Sequence, residues 1–362
     1  MIGNFENSRD PQQQQDLEYL ANSTDIPWNE FDGMRVLVTG ATGLIGSQIV
    51  RSILCRNRIA DSHIRVSAFV RNKAKAESMF QDIASRRDFE ILIGDVNSSL
   101  DIPGKIDYII HAASVTSSRD FVTKPVETIF TAIVGTQNVL ELSRKHAVKG
   151  VLYLSSLEVY GITDPAKLSV AESDFGYIDP IKVRSSYSEG KRIVECICAS
   201  YASEYGVPVK IARLTQTFGS GVVYNDGRVF AEFARCVIEG RDIVLKTNGE
   251  TVRNYCYISD AIAAILTILA KGGIGEAYNV ANKETAISIA DMARLVCEKF
   301  SEGKSKVVFD IVPDVTSLGY NPVMKIRLEA GKLESLGWEA KVPLEEMFRR
   351  TIASMRLLEG QR

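Results

Sequence analysis

The stretch "MRVLVTGATGLIG", residues 34–46, constrains this chain more than any other. A short apolar run ends in a turn with glycines at 40, 43 and 46, and the helical pattern "LIGSQIVRSILCRN" follows at once. An apolar run without polar alternation suits a strand buried on both faces, and such strands belong to parallel sheets covered by helices. Strand-like and helix-like segments then alternate: "IRVSAFV" (64–70), a charged helix through the 70s and 80s, "FEILIGDV" (89–96) and "IDYIIHAAS" (106–114). A helix over 125–146, "GVLYLSS" (150–156), a helix over 186–205 and "PVKIARL" (208–214) complete the series. This spacing predicts an α/β fold with a doubly wound parallel sheet over 34–215, to which part of 250–275 returns. Beyond 216 the regularity weakens, and 216–362 reads mainly as a smaller C-terminal α/β substrate lobe at the sheet's carboxyl edge. Ahead of the sheet lies a polar extension, 1–33, in which Asp10 and Pro11 are suited to open a short helix over about 11–22.

The glycine turn has a chemical reading. Gly40 permits the tight turn, Gly43 lets backbone approach a pyrophosphate, and Gly46 lets helix and strand pack closely. Thr42, Leu44 and Ile45 belong to the same turn, where the first N–H groups of the helix are free to bind phosphate. Because the triplet follows a strand and opens a helix, it predicts a Rossmann-type dinucleotide site for NAD or NADP. An acidic residue at the end of the second strand would hold the ribose hydroxyls of NAD. This chain has Val70 there, followed by Arg71, which either accepts the 2′-phosphate of NADP or lies solvated.

Composition sets the outer bounds. A formal net charge of −2 with 24% charged residues argues against a nucleic-acid partner. The six cysteines lack metal-ligand spacing and are expected to be reduced and packed; no metal site is expected. The N-terminus has no apolar signal core and no run approaches a membrane span, so the expectation is a cytoplasmic protein without membrane partners.

The stretch "VRSSYSEGK" places Tyr187 and Lys191 one helical turn apart on one face, and Ser155 and Ser156 end the preceding strand. Removing the proton of an alcohol as hydride leaves its carbon needs a base. A phenol with a pKa of about 10 serves only if nearby positive charge favours phenolate, which an ammonium such as Lys191 and an oxidised nicotinamide would both do. Taken together, "TGATGLIG", "GDV", "HAAS", "SSLEVYG" and "YSEGK", in that order over roughly 34–345, resemble the extended short-chain dehydrogenase/reductases. Within them the chain is similar to the nucleotide-sugar epimerase, dehydratase and decarboxylase branch.

The resemblance implies that Tyr187 and Lys191 are catalytic and also touch the cofactor, with Ser156 as third member and Glu158 as a further acid–base group. It implies that Asp95 and Val96 contact adenine, and that Ala112 and Ala113 of "HAAS" line the cofactor. "YNDGRVFAEFARCVIEG" and "ETVRNYCYISD" resemble segments that grip a nucleoside diphosphate, making Arg228 and Arg253 substrate ligands, with Thr116 and Gln216 beside the sugar. "NDGRV" is especially like the UDP-glucuronate decarboxylases. Leu157 stands where a dehydratase carries an acid, which disfavours loss of water. It also departs from the small hydroxyl residue of the decarboxylases, and Gln216 and Ala132 replace common asparagines. The implied activity is modification of a nucleotide sugar through a transient ketone, foremost 4-epimerisation. The alternatives are decarboxylation of a uronate, reduction of a nucleotide-linked keto sugar or polyol by NADPH, and a dinucleotide sensor without turnover. The helices 125–146 and 186–205 carry apolar residues on more than one face (Ile129, Ile133, Val139, Leu142; Ile193, Val194, Ile197, Tyr201), which predicts a homodimer.

Overall fold

The computed structural model describes residues 8–164, 166–313 and 323–359. In chain order the elements are α1 (Pro11–Asn22), β1 (Arg35–Thr39), α2 (Leu44–Ala60), β2 (Arg65–Val70), α3 (Lys73–Met79), β3 (Phe89–Ile93), β4 (Tyr108–His111), α4 (Ser118–Thr123), α5 (Pro125–His146) and β5 (Gly150–Ser156). There follow α6 (Ser185–Tyr205), β6 (Val209–Leu214), β7 (Gln216–Phe218), α7 (Val229–Glu239), β8 (Ile243–Leu245), β9 (Val252–Tyr257), α8 (Ile258–Lys271) and β10 (Ala277–Val280). The chain closes with β11 (Asn282–Ser288), α9 (Ile289–Phe300), β12 (Val307–Phe309), α10 (Gly331–Glu334) and α11 (Leu344–Glu359).

Seven strands form one parallel sheet in the order β10-β6-β5-β4-β1-β2-β3. The apolar runs supply strands buried on both faces: Val36, Leu37 and Val38 are each 1% exposed or less. α2 and α8 pack on one side, α5 and α6 on the other. The seventh strand, β10, comes from beyond the 250–275 stretch expected to return. From the carboxyl ends of β6 and β10 the chain runs directly into β7 and β11 of a small sheet, β11-β9-β7, and β12 and β8 form a separate pair.

Several elements are shorter than the periodicity predicts. The helix of the 70s and 80s ends at Met79, because Arg51 takes the Met79 carbonyl (2.6 Å) and forks onto Asp82 (2.7 and 3.1 Å). Phe80 and Ile83 then turn inward, with the Phe80 ring 5.3 Å from that of Phe89. β3 stops before Gly94, whose added Cβ would lie 2.5 Å from the Phe69 ring.

The N-terminal extension is knitted into the body. The Asp10 carboxylate caps α1 by accepting from the Gln12 (2.9 Å) and Gln13 (3.3 Å) amides. Asp16, 2% exposed, accepts from Ser220 Oγ and Tyr257 OH (both 2.6 Å) and from the Arg350 guanidinium (2.9 Å). One carboxylate of α1 therefore joins the loop after β7, the end of β9 and α11.

Not all the apolar residues of α5 and α6 await a partner. Val139, Leu142 and Val194 are consumed in the chain's own core, 2% exposed or less. The large apolar side chains left open are Val126 (65%), Phe130 (57%), Ile193 (43%) and Tyr205 (45%). All six cysteines are free, and Cys196 is exposed rather than packed. Among the described residues no helix is long and apolar enough to cross a membrane.

Candidate active site

The turn from β1 into α2 has the geometry that a phosphate cradle demands. Gly40 adopts φ +66°, and a Cβ on it would lie 2.6 Å from the Ala113 amide nitrogen and 2.7 Å from the Ala112 carbonyl. A Cβ on Gly46 would lie 2.4 Å from the Gly40 carbonyl oxygen, so strand and helix approach only because both residues are bare. Gly43, exposed at the N-cap of α2, would meet only the Gly40 oxygen, at 3.3 Å, and its other side is open. These three positions fit a dinucleotide pyrophosphate at the helix N-terminus, with Thr42, Leu44 and Ile45 half-buried around them.

The neighbouring strand ends lie at the same edge. The Thr39 hydroxyl accepts from the Ala113 amide (3.3 Å), which ties the "HAAS" segment to β1. Asp95 turns its carboxylate back onto the Asn97 amide (2.9 Å), and the Val96 carbonyl accepts from Asn138 (2.8 Å). Val70 is buried and Arg71 exposed at the end of β2, with no carboxylate at position 70.

β5 and α6 bring the second cluster together. Ser156 ends β5; its hydroxyl accepts from the Glu158 amide (3.2 Å) and lies close enough to the Tyr187 phenol to favour its ionisation. Lys191 is 3% exposed, donates to the Leu154 carbonyl (2.7 Å), and lies 4.7 Å from the Tyr153 ring centre and 5.7 Å from that of Tyr187. Burial pulls its ammonium down to about 8, against the opposing pull of Glu195. Burial first, then the Glu158 charge, pushes the Tyr187 phenol well above 10, while Ser156, Arg184 and Arg228 oppose the rise.

Glu158 is held at both oxygens, by Arg184 (3.0 Å) and by the Ser188 hydroxyl (3.0 Å). The Tyr187 ring stacks on Phe121 of α4, centres 4.2 Å apart and 14° between planes, and the Arg184 guanidinium lies 4.6 Å from the same Phe121 ring centre. Below, Glu195 accepts from Ser155 (2.5 Å) and is forked by Arg213 (3.1 and 2.7 Å). Phe121, Arg184, Ser188, Glu195 and Arg213 were not singled out from the sequence. Arg184 and Glu195 had a signal, since they stand three before Tyr187 and four after Lys191 on one helical face. Phe121 had none, because only the tertiary fold brings α4 onto α6.

The expected substrate ligands divide. Arg228, at the N-cap of α7, is forked onto Asp226 (3.0 and 2.6 Å); burial raises that carboxyl, yet Arg228 holds it below the usual range. The Arg253 Nε is buried and makes no hydrogen bond, so this cation on β9 has a donor in reserve. Gln216 pairs with Tyr255 in the small sheet, and Thr116 is exposed just beyond β4.

The family model described as the NAD dependent epimerase/dehydratase family matches residues 36–281. UDP-glucuronic acid decarboxylase 1 of Xenopus tropicalis is 30% identical over 327 residues, 90% of this chain and 72% of that protein. UDP-glucuronic acid decarboxylase 6 of Arabidopsis thaliana is 30% identical over 313 residues, 86% of each. The solved UDP-glucose 4-epimerase of Thermotoga maritima has a TM-score of 0.74 at 23% identity, covering 90% of this chain and 99% of that one, a likeness of fold.

Proposed function

Because this chain belongs to the NAD dependent epimerase/dehydratase family, we propose that it modifies a nucleotide-linked sugar through a transient ketone, with Tyr187 as the proton-transfer group. The observation that carries this reading is Ser156 beside the Tyr187 phenol with Lys191 buried 5.7 Å from the tyrosine ring centre, at the sheet edge where the glycine turn opens. A bound dinucleotide, NAD or NADP, supplies the acceptor and donor of hydride. Ser156 orients the sugar hydroxyl, Tyr187 takes its proton as the carbon–hydrogen bond breaks, and Lys191 favours phenolate. The ammonium reaches this role with a pKa of about 8, so it carries its charge for much of the neutral range. Arg253 has an unbonded Nε to offer a diphosphate, and Arg228 joins it by leaving Asp226.

Epimerisation at carbon 4 asks least of these residues, because the ketone need only turn over and regain hydride on its other face while Tyr187 returns the proton. It fits a site whose second carboxylate, Glu158, is engaged at both oxygens. Decarboxylation of a uronate is the second reading. The curated relatives are named for it, and the Glu158 carboxylate lies near enough to the Tyr187 phenol for its charge to act there, where a second acid–base group would protonate the carbon that loses CO2. A second copy of the chain would cover Val126, Phe130 and Ile193 on α5 and α6.

Incubation of the purified chain with UDP-glucose and with UDP-glucuronate, each with NAD+ or NADP+, tests the class. Mass spectrometry and chromatography separate an epimer of equal mass from a pentose formed with CO2, and net reduced nicotinamide would mark a dehydrogenase. No change in either sugar and no cofactor reduction would contradict the reading for these substrates.

A further inference from the structure

Four residues ring Tyr187. Ser156 lies beside the phenol, and its hydroxyl accepts from the Glu158 amide; the Glu158 carboxylate accepts from Arg184; Arg184 rests against Phe121; and Phe121 stacks on the Tyr187 ring. Phe121 is 3% exposed, and its backbone is pinned by the Ser186 hydroxyl, which donates to its carbonyl (3.0 Å). The Arg184 and Glu158 side chains are 12% and 11% exposed, so water screens their pairing little.

A carboxylate beside a phenol opposes the formation of phenolate, and a proton acceptor for a sugar hydroxyl must pass through phenolate. We propose that Arg184 and Phe121 are positioning residues for Tyr187: the Phe121 ring fixes the plane of the phenol and seats Arg184, whose guanidinium cancels the Glu158 charge next to the proton-transfer step. The charged and titratable groups facing Tyr187 are Glu158 from the turn after β5, Arg184 ahead of α6, Lys191 and Tyr153 behind the ring, and Arg228 from the start of α7. Of these, Glu158 opposes ionisation of the phenol, while Arg184 and Arg228 favour it. Arg228 is forked onto its own partner, Asp226, whereas Arg184 is spent on Glu158 itself.

The inference rests on Tyr187 as the proton-transfer group and is tested without turnover. The probe is NAD+ or NADP+, whichever the stripped full chain binds, titrated calorimetrically between pH 6 and 10 in buffers of different ionisation enthalpy. Binding a cationic nicotinamide should release protons, and the part lost in Tyr187→Phe belongs to the phenol. Arg184→Gln should move the midpoint of that part up by about one pH unit, and Glu158→Gln down by a similar amount. The double variant should return it to the wild-type value. Arg184→Lys, which keeps the charge, should shift it far less, and Phe121→Leu should shift it upward because Arg184 loses its seat. A Tyr187-dependent step that stays within about 0.2 units in both Arg184→Gln and Glu158→Gln would overturn the proposal and leave the tyrosine reading standing. Proton release unchanged in Tyr187→Phe would overturn the tyrosine reading, and this proposal with it.

Discussion

Asp16 offers the sharpest test of what the N-terminal extension contributes. Its carboxylate is buried on α1 and accepts two hydroxyl bonds at one oxygen, from Ser220 and Tyr257, and one guanidinium bond at the other. Asp16→Ala removes the two oxygens that accept all three bonds. Arg350 loses least, because its Nε still donates to Glu346 (2.6 Å). Ser220 and Tyr257 are both 0% exposed, so water cannot replace the lost acceptor. Each of the two orphaned donors costs about 1–3 kcal/mol, which sets the expected loss at about 2–6 kcal/mol. That is a large part of the roughly 5–15 kcal/mol that holds a typical domain together.

Asp16→Asn should behave differently. Burial raises the Asp16 pKa above its usual value despite the two hydroxyls and Arg350, so ionisation is disfavoured relative to the unfolded chain. An asparagine keeps an acceptor oxygen for Ser220 and Tyr257 and removes the charge that burial penalises. The expected loss is within about 1 kcal/mol. The linkage has a definite sign. With the folded pKa raised, the stabilising share of this group is complete below about 3.8 and is lost as pH climbs through the folded value. Urea unfolding at pH 7, followed by the fluorescence of Trp28 and Trp338, measures both variants. If alanine costs under about 1 kcal/mol, or asparagine costs as much as alanine, the assignment of Asp16 as the junction between extension, loop and C-terminal helix is refuted.

Three further outcomes are expected. Tyr187→Phe should lower turnover about 10²- to 10⁴-fold and leave dinucleotide affinity nearly intact, measured by steady-state kinetics and calorimetry; undiminished turnover would dismiss the tyrosine. Arg71→Ala should reverse a preference for NADP(H) of about tenfold or more if the exposed guanidinium meets a 2′-phosphate, and equal affinities unchanged by the substitution would make it a solvated surface residue. Asp260, pushed up to about 6 by burial although the Val342 and Lys341 amides oppose the rise, should lower stability as pH rises from 3.8 through 6. Asp260→Asn should flatten that part of the stability profile, and an unchanged slope in urea titrations would exclude Asp260 as its source.

The parts of the architecture that follow from local rules were readable in the sequence, and the parts that follow from tertiary competition were not. The Asp10–Pro11 start of α1, the bounds of α5 and β5, and the glycine turn rest on a cap, a buried apolar run and a steric demand, each encoded within a few residues. α3 ran short because Arg51, from the preceding helix, claims its last carbonyl, and no local pattern contains that competition. The candidate site divides in the same way. Ser156, Tyr187 and Lys191 stand on two neighbouring elements whose spacing is legible, and the fold does bring them together. The surroundings of the phenol were legible only in part. Spacing put Lys191 one turn from Tyr187, but it could not show that the ammonium donates to the Leu154 carbonyl or that Glu158, Arg184 and Phe121 lie around the ring. Phe121 stands 66 positions ahead of Tyr187 in the chain, so its stack on the phenol is decided by how α4 packs on α6. What a helical face displays can be counted from spacing, but what sets the energy of a proton on that face depends on which distant side chains the fold presses against it.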